Sequence, residues 1–459
     1  MKKKSASQSA FFKLRRLTGL FLALAGVFQF GNPGAAFSGN YTVEGGACEW
    51  LTGSDMPSVG VRSVGIYFPD NGKFYAIGGR SSDAAGSDFM HPFEYDPATN
   101  TWTSKSATYP DNQVNNMACG VLGGVMLPPL IYCVGGSAAG QTTATARVFY
   151  YDPVADTITT LTGADNWPGD SSGTILPGGF VATAPDGLAL NSNLYIFGGF
   201  DINVASTNQI WEFNPRAPVG SKWTQKVNTP MGVMYAPTCR IVGSEGFPIY
   251  VAGASDFQDG LVVDTTNSFS FDPSSNTIGT IAAIPRATGE TRALGFKGKM
   301  YVMGGGRIAP NPSNEVDIYD PGTNTWSIGT PFSNARRNFP TDTDGTDTIW
   351  LAGGYASDGV TLLSSMEIFN CTTSGEITLT AKLRRQQGKR FVALEWSPTH
   401  AGSINIVRDG VVIHTTFDDG RAQDHLGTGP REVHTYQVCE ADTGICSNEV
   451  KVKVPGSGQ

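Results

Sequence analysis

Residues 93–102 read FEYDPATNTW and residues 317–326 read DIYDPGTNTW, so one chain of 459 residues writes an aromatic strand, an Asp-Pro turn and a Thr-Asn-Thr-Trp exit twice. A match of that length implies weaker copies between, and they are present. The turn recurs as FYYDP at 149–153, WEFNP at 211–215 and FSFDP at 269–273, and ends as EIFNC at 367–371. A hydrophobic strand closing on a double glycine precedes each copy: FYAIGG at 74–79, IYCVGG at 131–136, LYIFGG at 194–199, MYVMGG at 300–305 and IWLAGG at 349–354. IYVAGA at 249–254 is a degraded sixth. The first glycines stand 57, 63, 55, 51 and 49 residues apart, a period that signals a solenoid or propeller rather than one globular core.

Each part of the unit has a physical role. Asp accepts local backbone N–H groups, Pro presets φ, and Asn tolerates the left-handed region before the next strand starts. Glycine lets the chain turn and pack where a Cβ would intrude. Trp102, Trp223 and Trp326 open the following strand and are expected to pack between units as core.

Composition fits that picture. Charged residues are only 16 % while Gly numbers 57 and Pro 27, the balance of a turn-rich β protein. A formal net charge of −8 argues against a nucleic-acid partner, which needs clustered excess Lys and Arg. Basic residues do cluster at the start, from Lys2 to Arg16, followed by the apolar run Leu17–Phe30 and the small-residue exit GNPGAA at 31–36. That order is expected of a secretory signal peptide over 1–36, giving a secreted or periplasmic protein with no membrane span.

Strand, double glycine, aromatic-Asp-Pro and Trp in fixed order resemble the kelch family of β-propellers over residues 48–371. The resemblance implies an all-β fold: a six-bladed kelch β-propeller over 37–373, each blade a twisted four-stranded sheet packed on its neighbours around a channel. The sixth unit lacks its own Trp-led strand after EIFNC, and ACEWLTGSDMP at 47–57 matches the NTWSIGTPF pattern with no unit before it. The N-terminal strand around 48–55 is therefore expected to close blade six. Aligning Trp50 with Trp326 then places Cys48 and Cys371 at the two ends of one turn, which implies a disulfide. Cys439 and Cys446 flank a hairpin and imply a local bridge. Cys119 and Cys133 pair if their register sets them opposite, and Cys239 is left over as a buried thiol.

From 374 to 455 the repeat gives way to short alternating strands such as VALEWS at 392–397, VVIHTTF at 411–417 and HTYQVCE at 434–440. This resembles an Ig/fibronectin type III-like β-sandwich, with Trp396 in an early strand and Tyr436 placed like the tyrosine of the corner motif.

In kelch geometry the loops after Gly-Gly and those entering each first strand share the channel mouth. Counting five residues past the Pro that ends each fourth strand gives Arg62, Asn115, Tyr235, Glu290 and Arg336, with Arg292 and Arg337 close by. Arg62 and Arg336 are expected to converge as a fork for a carboxylate or sulfate. The expected function is a monomeric binding module for a glycan or protein ligand, with no cofactor. The alternative is a carbohydrate-directed enzyme resembling the periplasmic kelch mutarotases for sialic acid, with Glu290 in an acid–base role. A copper oxidase of the galactose oxidase type is less favoured, since His91 is the propeller's one histidine and no Cys-Tyr arrangement accompanies it. DTDGTD at 342–347 reads as an Asp-Gly hairpin turn before a calcium loop. Trp167, in the long loop 163–180, is read either as a ligand contact or as the loop's own packing.

Overall fold

The computed structural model describes residues 48–183, 191–202, 205–241, 248–306, 312–371, 377–386, 389–397, 399, 403–427, 429–441 and 446–456. Contacts divide the chain into Met1–Glu44 and Gly45–Gln459, and every described residue falls in the second unit. The signal-peptide reading of 1–36 lies outside the described residues.

Among the described residues the regular structure is β strands, with a 3-10 turn at Gly163–Asp165. Between 48 and 371 the described residues form six four-stranded antiparallel sheets. In chain order the first strands are Val64–Phe68, Ala118–Gly124, Ile175–Thr183, Thr238–Arg240, Ala293–Phe296 and Thr341–Thr343. Each lies against the first strands of the two flanking sheets, and Thr341–Thr343 returns to Val64–Phe68, so the cycle closes. Close approach at the centre depends on small residues. A Cβ on Gly65 would stand 2.2 Å from the backbone nitrogen of Thr341.

The sixth sheet takes its outermost strand from the beginning of the described chain. Cys48–Gly53 pairs antiparallel with Met366–Cys371, Cys48 opposite Cys371, and the two are joined by a disulfide. Cys119 and Cys133 also sit directly opposite on neighbouring strands and are joined, as are Cys439 and Cys446. Cys239 is free and buried, and burial raises its thiol. Three disulfides are consistent with an oxidising compartment. No helix among the described residues is long and apolar enough to cross a membrane.

The repeated turn letters act between sheets. Asn100, Asn276 and Asn324 adopt φ of 52, 56 and 54°. Their Oδ1 atoms accept N–H groups from the preceding sheet's exit segment at Ser54, Val227 and Ala282, at 2.8 to 2.9 Å. Asp156 does the same for Ser106. The exit tryptophans complete the staple. Trp50, Trp102, Trp223 and Trp326 donate Nε1–H to the carbonyls of Thr330, Ser54, Asp165 and Ala282. Trp167 is 2 % exposed within the apolar cluster between the second and third sheets, so of its two readings the structure takes the packing one. DTDGTD forms the turn between Thr341–Thr343 and Thr348–Ala352, with Asp344 Oδ1 accepting three backbone N–H groups.

Beyond 377, strands Thr378–Gln386, Lys389–Ser397 and Arg421–Leu426 form one sheet. Val411–Phe417, Ser403–Arg408, Glu432–Glu440 and Val450–Val454 form a second, and the two share one apolar core containing Trp396 and Tyr436. The Tyr436 hydroxyl donates to the Asp424 carboxylate at 2.7 Å, where a tyrosine corner would reach backbone.

Candidate functional site

A hydrogen-bonded belt runs around the channel mouth just before the first strands. Asn116 N–H bonds the Arg62 carbonyl (3.2 Å), Arg62 N–H the Asn338 carbonyl (2.9 Å), Asn338 N–H the Glu290 carbonyl (2.7 Å) and Glu290 N–H the Tyr235 carbonyl (3.2 Å). Ala236 N–H continues to Gly178 O. To make these links Arg62, Asn116, Tyr235, Glu290 and Asn338 all take φ between 50 and 62°. The belt thus fixes five side chains toward one cavity of about 70 Å³, whose lining also includes Arg292 and Phe180.

Within it the charges are distributed unequally. Arg337 pairs with Glu290, whose Oε2 also accepts Asn338 Nδ2 at 2.8 Å. The Arg337 guanidinium lies 4.7 Å over the Tyr355 ring. Arg80 pairs with Asp83, which also accepts the Tyr355 hydroxyl at 2.6 Å. Burial works to raise the Asp83 pKa, but the Tyr355 hydrogen bond and Arg80 outweigh it and hold the carboxylate below its ordinary range. Arg62 differs from both. Its side-chain bonds go through Nη1 to neutral oxygens, the Tyr235 hydroxyl at 3.0 Å and Asn116 Oδ1 at 3.3 Å, and its Nε is buried without a partner. Burial opposes its charge, yet Tyr235, Glu290 and Tyr355 prevail and hold the proton more firmly than in water. Deeper in, Arg292 lies 4.6 Å over Phe180 and donates to Gly65 O at 2.7 Å. Burial lowers its pKa against the opposing charge of Asp342.

Of the residues singled out from sequence, Arg62, Tyr235, Glu290 and Arg292 line this cavity, and Arg337 adjoins it through Glu290. Two are placed elsewhere. Asn115 is fully buried, its Nδ2 spent on Asp88 and Ser137 O. Arg336 is fully buried too, bonded to Glu367 and to the carbonyls of Gly353 and Ser365, so it does not converge with Arg62. The cause is loop length. Arg62, Tyr235 and Glu290 follow Pro57, Pro230 and Pro285 by five, but Asn116 follows Pro110 by six and Asn338 follows Pro331 by seven. Arg80, Asp83 and Tyr355 were missed because they come from loops after Gly-Gly, where no repeated letter marks them.

His91 bonds the Ala107 carbonyl through Nδ1 at 3.0 Å. Among the described residues no group of three or more His, Cys, Asp or Glu side chains is placed to hold a metal ion.

Comparison with known proteins agrees with the repeat. Residues 290–333 match the Kelch motif. Kelch-like protein 35 of Mus musculus is 24 % identical over 254 residues, 52 % of this chain and 41 % of that protein, so the chain spans less than half of that relative's length. Among solved structures, that of YjhT is similar at 14 % identity and a TM-score of 0.51, covering 69 % of this chain and 99 % of that one. A fungal alcohol oxidase of the AA5 family in complex with copper aligns over 89 % of this chain and 99 % of its own, at 12 % identity and a TM-score of 0.49. That last likeness is too loose to bear on chemistry. The chain carries kelch repeats and an all-β fold of the kelch propeller kind.

Proposed function

We propose that the chain is an exported six-bladed propeller over 37–373 followed by a fibronectin type III-like sandwich over 374–455, and that it is a binding module. Its loop-rich face captures a glycan or protein partner by an acidic group. The observation that carries this reading is Arg62. A guanidinium bonded only to neutral oxygens, at the mouth of a cavity and on a backbone fixed by the belt, is organised to receive an anion. Arg80 and Arg337, each already facing a carboxylate, shape the field around it.

The test is Arg62→Asn, since asparagine occupies the same backbone conformation at 116 and 338. Glycan-array and pull-down screens with wild type and variant should show capture that the variant loses while its thermal midpoint holds. Capture undiminished by the change, or none by wild type, refutes the reading. Glu290 in the cavity lining favours a second reading, a carbohydrate-directed enzyme with Glu290 as acid–base group. Accelerated anomer exchange in sugar NMR, abolished by Glu290→Ala, would select it.

A further inference from the structure

Beside Arg62 the mouth opens into a second cleft, of about 300 Å³, with two unlike walls. One wall is polar: Arg62, Arg80, Asn116 and Gln141. The other is apolar: Phe200, Ile202, Phe257 and Val262. Tyr235 joins the two, its hydroxyl accepting from Arg62 at 3.0 Å and its ring lying 4.6 Å from that of Phe200.

The apolar wall is a separate addition to the repeat. Among the described residues, only the fourth sheet carries an extra two-stranded ribbon, Ser255–Gln258 paired with Leu261–Asp264. Phe257 and Val262 are directly opposed on it. The ribbon is tied to the mouth by paired backbone bonds between Ser255 and Met234, and by Ser206 Oγ donating to Asp256 at 2.6 Å. Phe257, Val262 and Ile202 cover the buried cluster of Leu176, Phe200 and Met234 but remain only partly buried themselves. Two apolar side chains held on an ordered ribbon and left half-covered next to a guanidinium form a surface that a ligand would complete.

We infer that the acidic group captured at Arg62 is a carboxylate carrying an apolar arm, the carboxylate meeting Arg62 and the arm lying on Phe200, Ile202, Phe257 and Val262. This rests on the binding role of Arg62 proposed above and narrows it. A sugar acid presents hydroxyls on every side, and those facing the ribbon wall would lose water without gaining a partner. An alkyl or aryl acid has no such loss.

The experiment titrates the full chain with three probes, acetate, glucuronate and 4-phenylbutyrate, by calorimetry or ligand-observed NMR. 4-Phenylbutyrate should bind at least about tenfold tighter than acetate or glucuronate, the effect of roughly two buried methylenes. Phe257→Ser with Val262→Ser should erase that preference and leave acetate binding unchanged. Arg62→Asn should weaken all three acids together. Glucuronate binding as tightly as 4-phenylbutyrate, or a preference that survives the ribbon changes, overturns this inference while the Arg62 reading stands. Acid binding indifferent to Arg62→Asn, or no binding of any acid, overturns both.

Discussion

Replacing Arg336 separates a structural arginine from a binding one. Its guanidinium is fully buried and donates to Asn334 O (3.2 Å), Gly353 O (2.7 Å), Ser365 O (2.9 Å), Ser365 Oγ (3.2 Å) and Glu367 Oε1 (2.8 Å). Arg336→Ala removes the charge partner of the Glu367 carboxylate and a donor to three carbonyls in the interior, a loss of about 3–5 kcal/mol for breaking a buried pair from one side. Burial alone would raise the Glu367 pKa, but the Ser333 N–H, the Arg336 charge and the Asn334 N–H outweigh it and hold the carboxyl below its ordinary range. A depressed folded pKa gives stability that is present above the unfolded value of about 4.3 and disappears as pH falls through the folded value. The gap between wild type and Arg336→Ala should therefore be full near pH 7 and narrow below about pH 4. Adding Glu367→Gln should restore about 1–3 kcal/mol, by removing the stranded charge. Urea unfolding followed by tryptophan fluorescence at pH 7 and 3.5 reads all three proteins. A loss below about 1 kcal/mol, or one equal at both pH values, refutes the reasoning.

Other perturbations test other parts. Asn324→Ala loses the acceptor for Ala282 N–H and Tyr319 O–H and leaves at φ 54° a residue that tolerates the left-handed region less well than asparagine, so it should cost about 2–3 kcal/mol. Asn324→Gly keeps the backbone and should cost about 1 kcal/mol less; equal losses in denaturant unfolding would show that φ does not matter. Gly79→Ala, where a Cβ would meet Ser63 Oγ at 2.0 Å with φ at 91°, should destabilise by about 2–6 kcal/mol. Gly260→Ala, at φ 78° with nothing within 4 Å, should cost only about 1–2 kcal/mol, and a reversed order in the two thermal midpoints would sink the packing argument. Cys371→Ser opens a link spanning 323 residues, worth on the order of 5 kcal/mol by chain entropy. Amides of 49–53 should then exchange faster by deuterium mass spectrometry, and unchanged protection would refute the latch.

The sheets were legible because their letters do local work. Asp-Pro-x-Thr-Asn specifies a turn, and that turn's Asn and the following Trp are the groups that bond the neighbouring sheet, so one motif encodes both the unit and its stacking. The disulfide closing the sixth sheet followed from the same alignment. The mouth was legible only where loop length is constant. An extra residue between Pro110 and Asn116 moved the reading onto Asn115, and two between Pro331 and Asn338 moved it onto Arg336. Nothing in the repeat marks the Ser255–Gln258 ribbon, because it interrupts the unit rather than repeating it.

The belt also explains why side-chain identity at the mouth carries information. Its links use only backbone N–H and C=O groups, so any residue that tolerates a left-handed φ satisfies it. Asparagine tolerates that region best after glycine, and Asn116 and Asn338 follow the rule. Arg62, Tyr235 and Glu290 break it at equivalent places, each accepting backbone strain that asparagine would lower. The belt bonds do not require their long side chains, because every link is backbone to backbone. What they share is the cavity they face and, for Arg62 and Tyr235, the cleft beside it. A local preference violated three times around one opening, with a cation, a phenol and a carboxylate as the substitutes, is the pattern expected if these residues serve the binding proposed at Arg62.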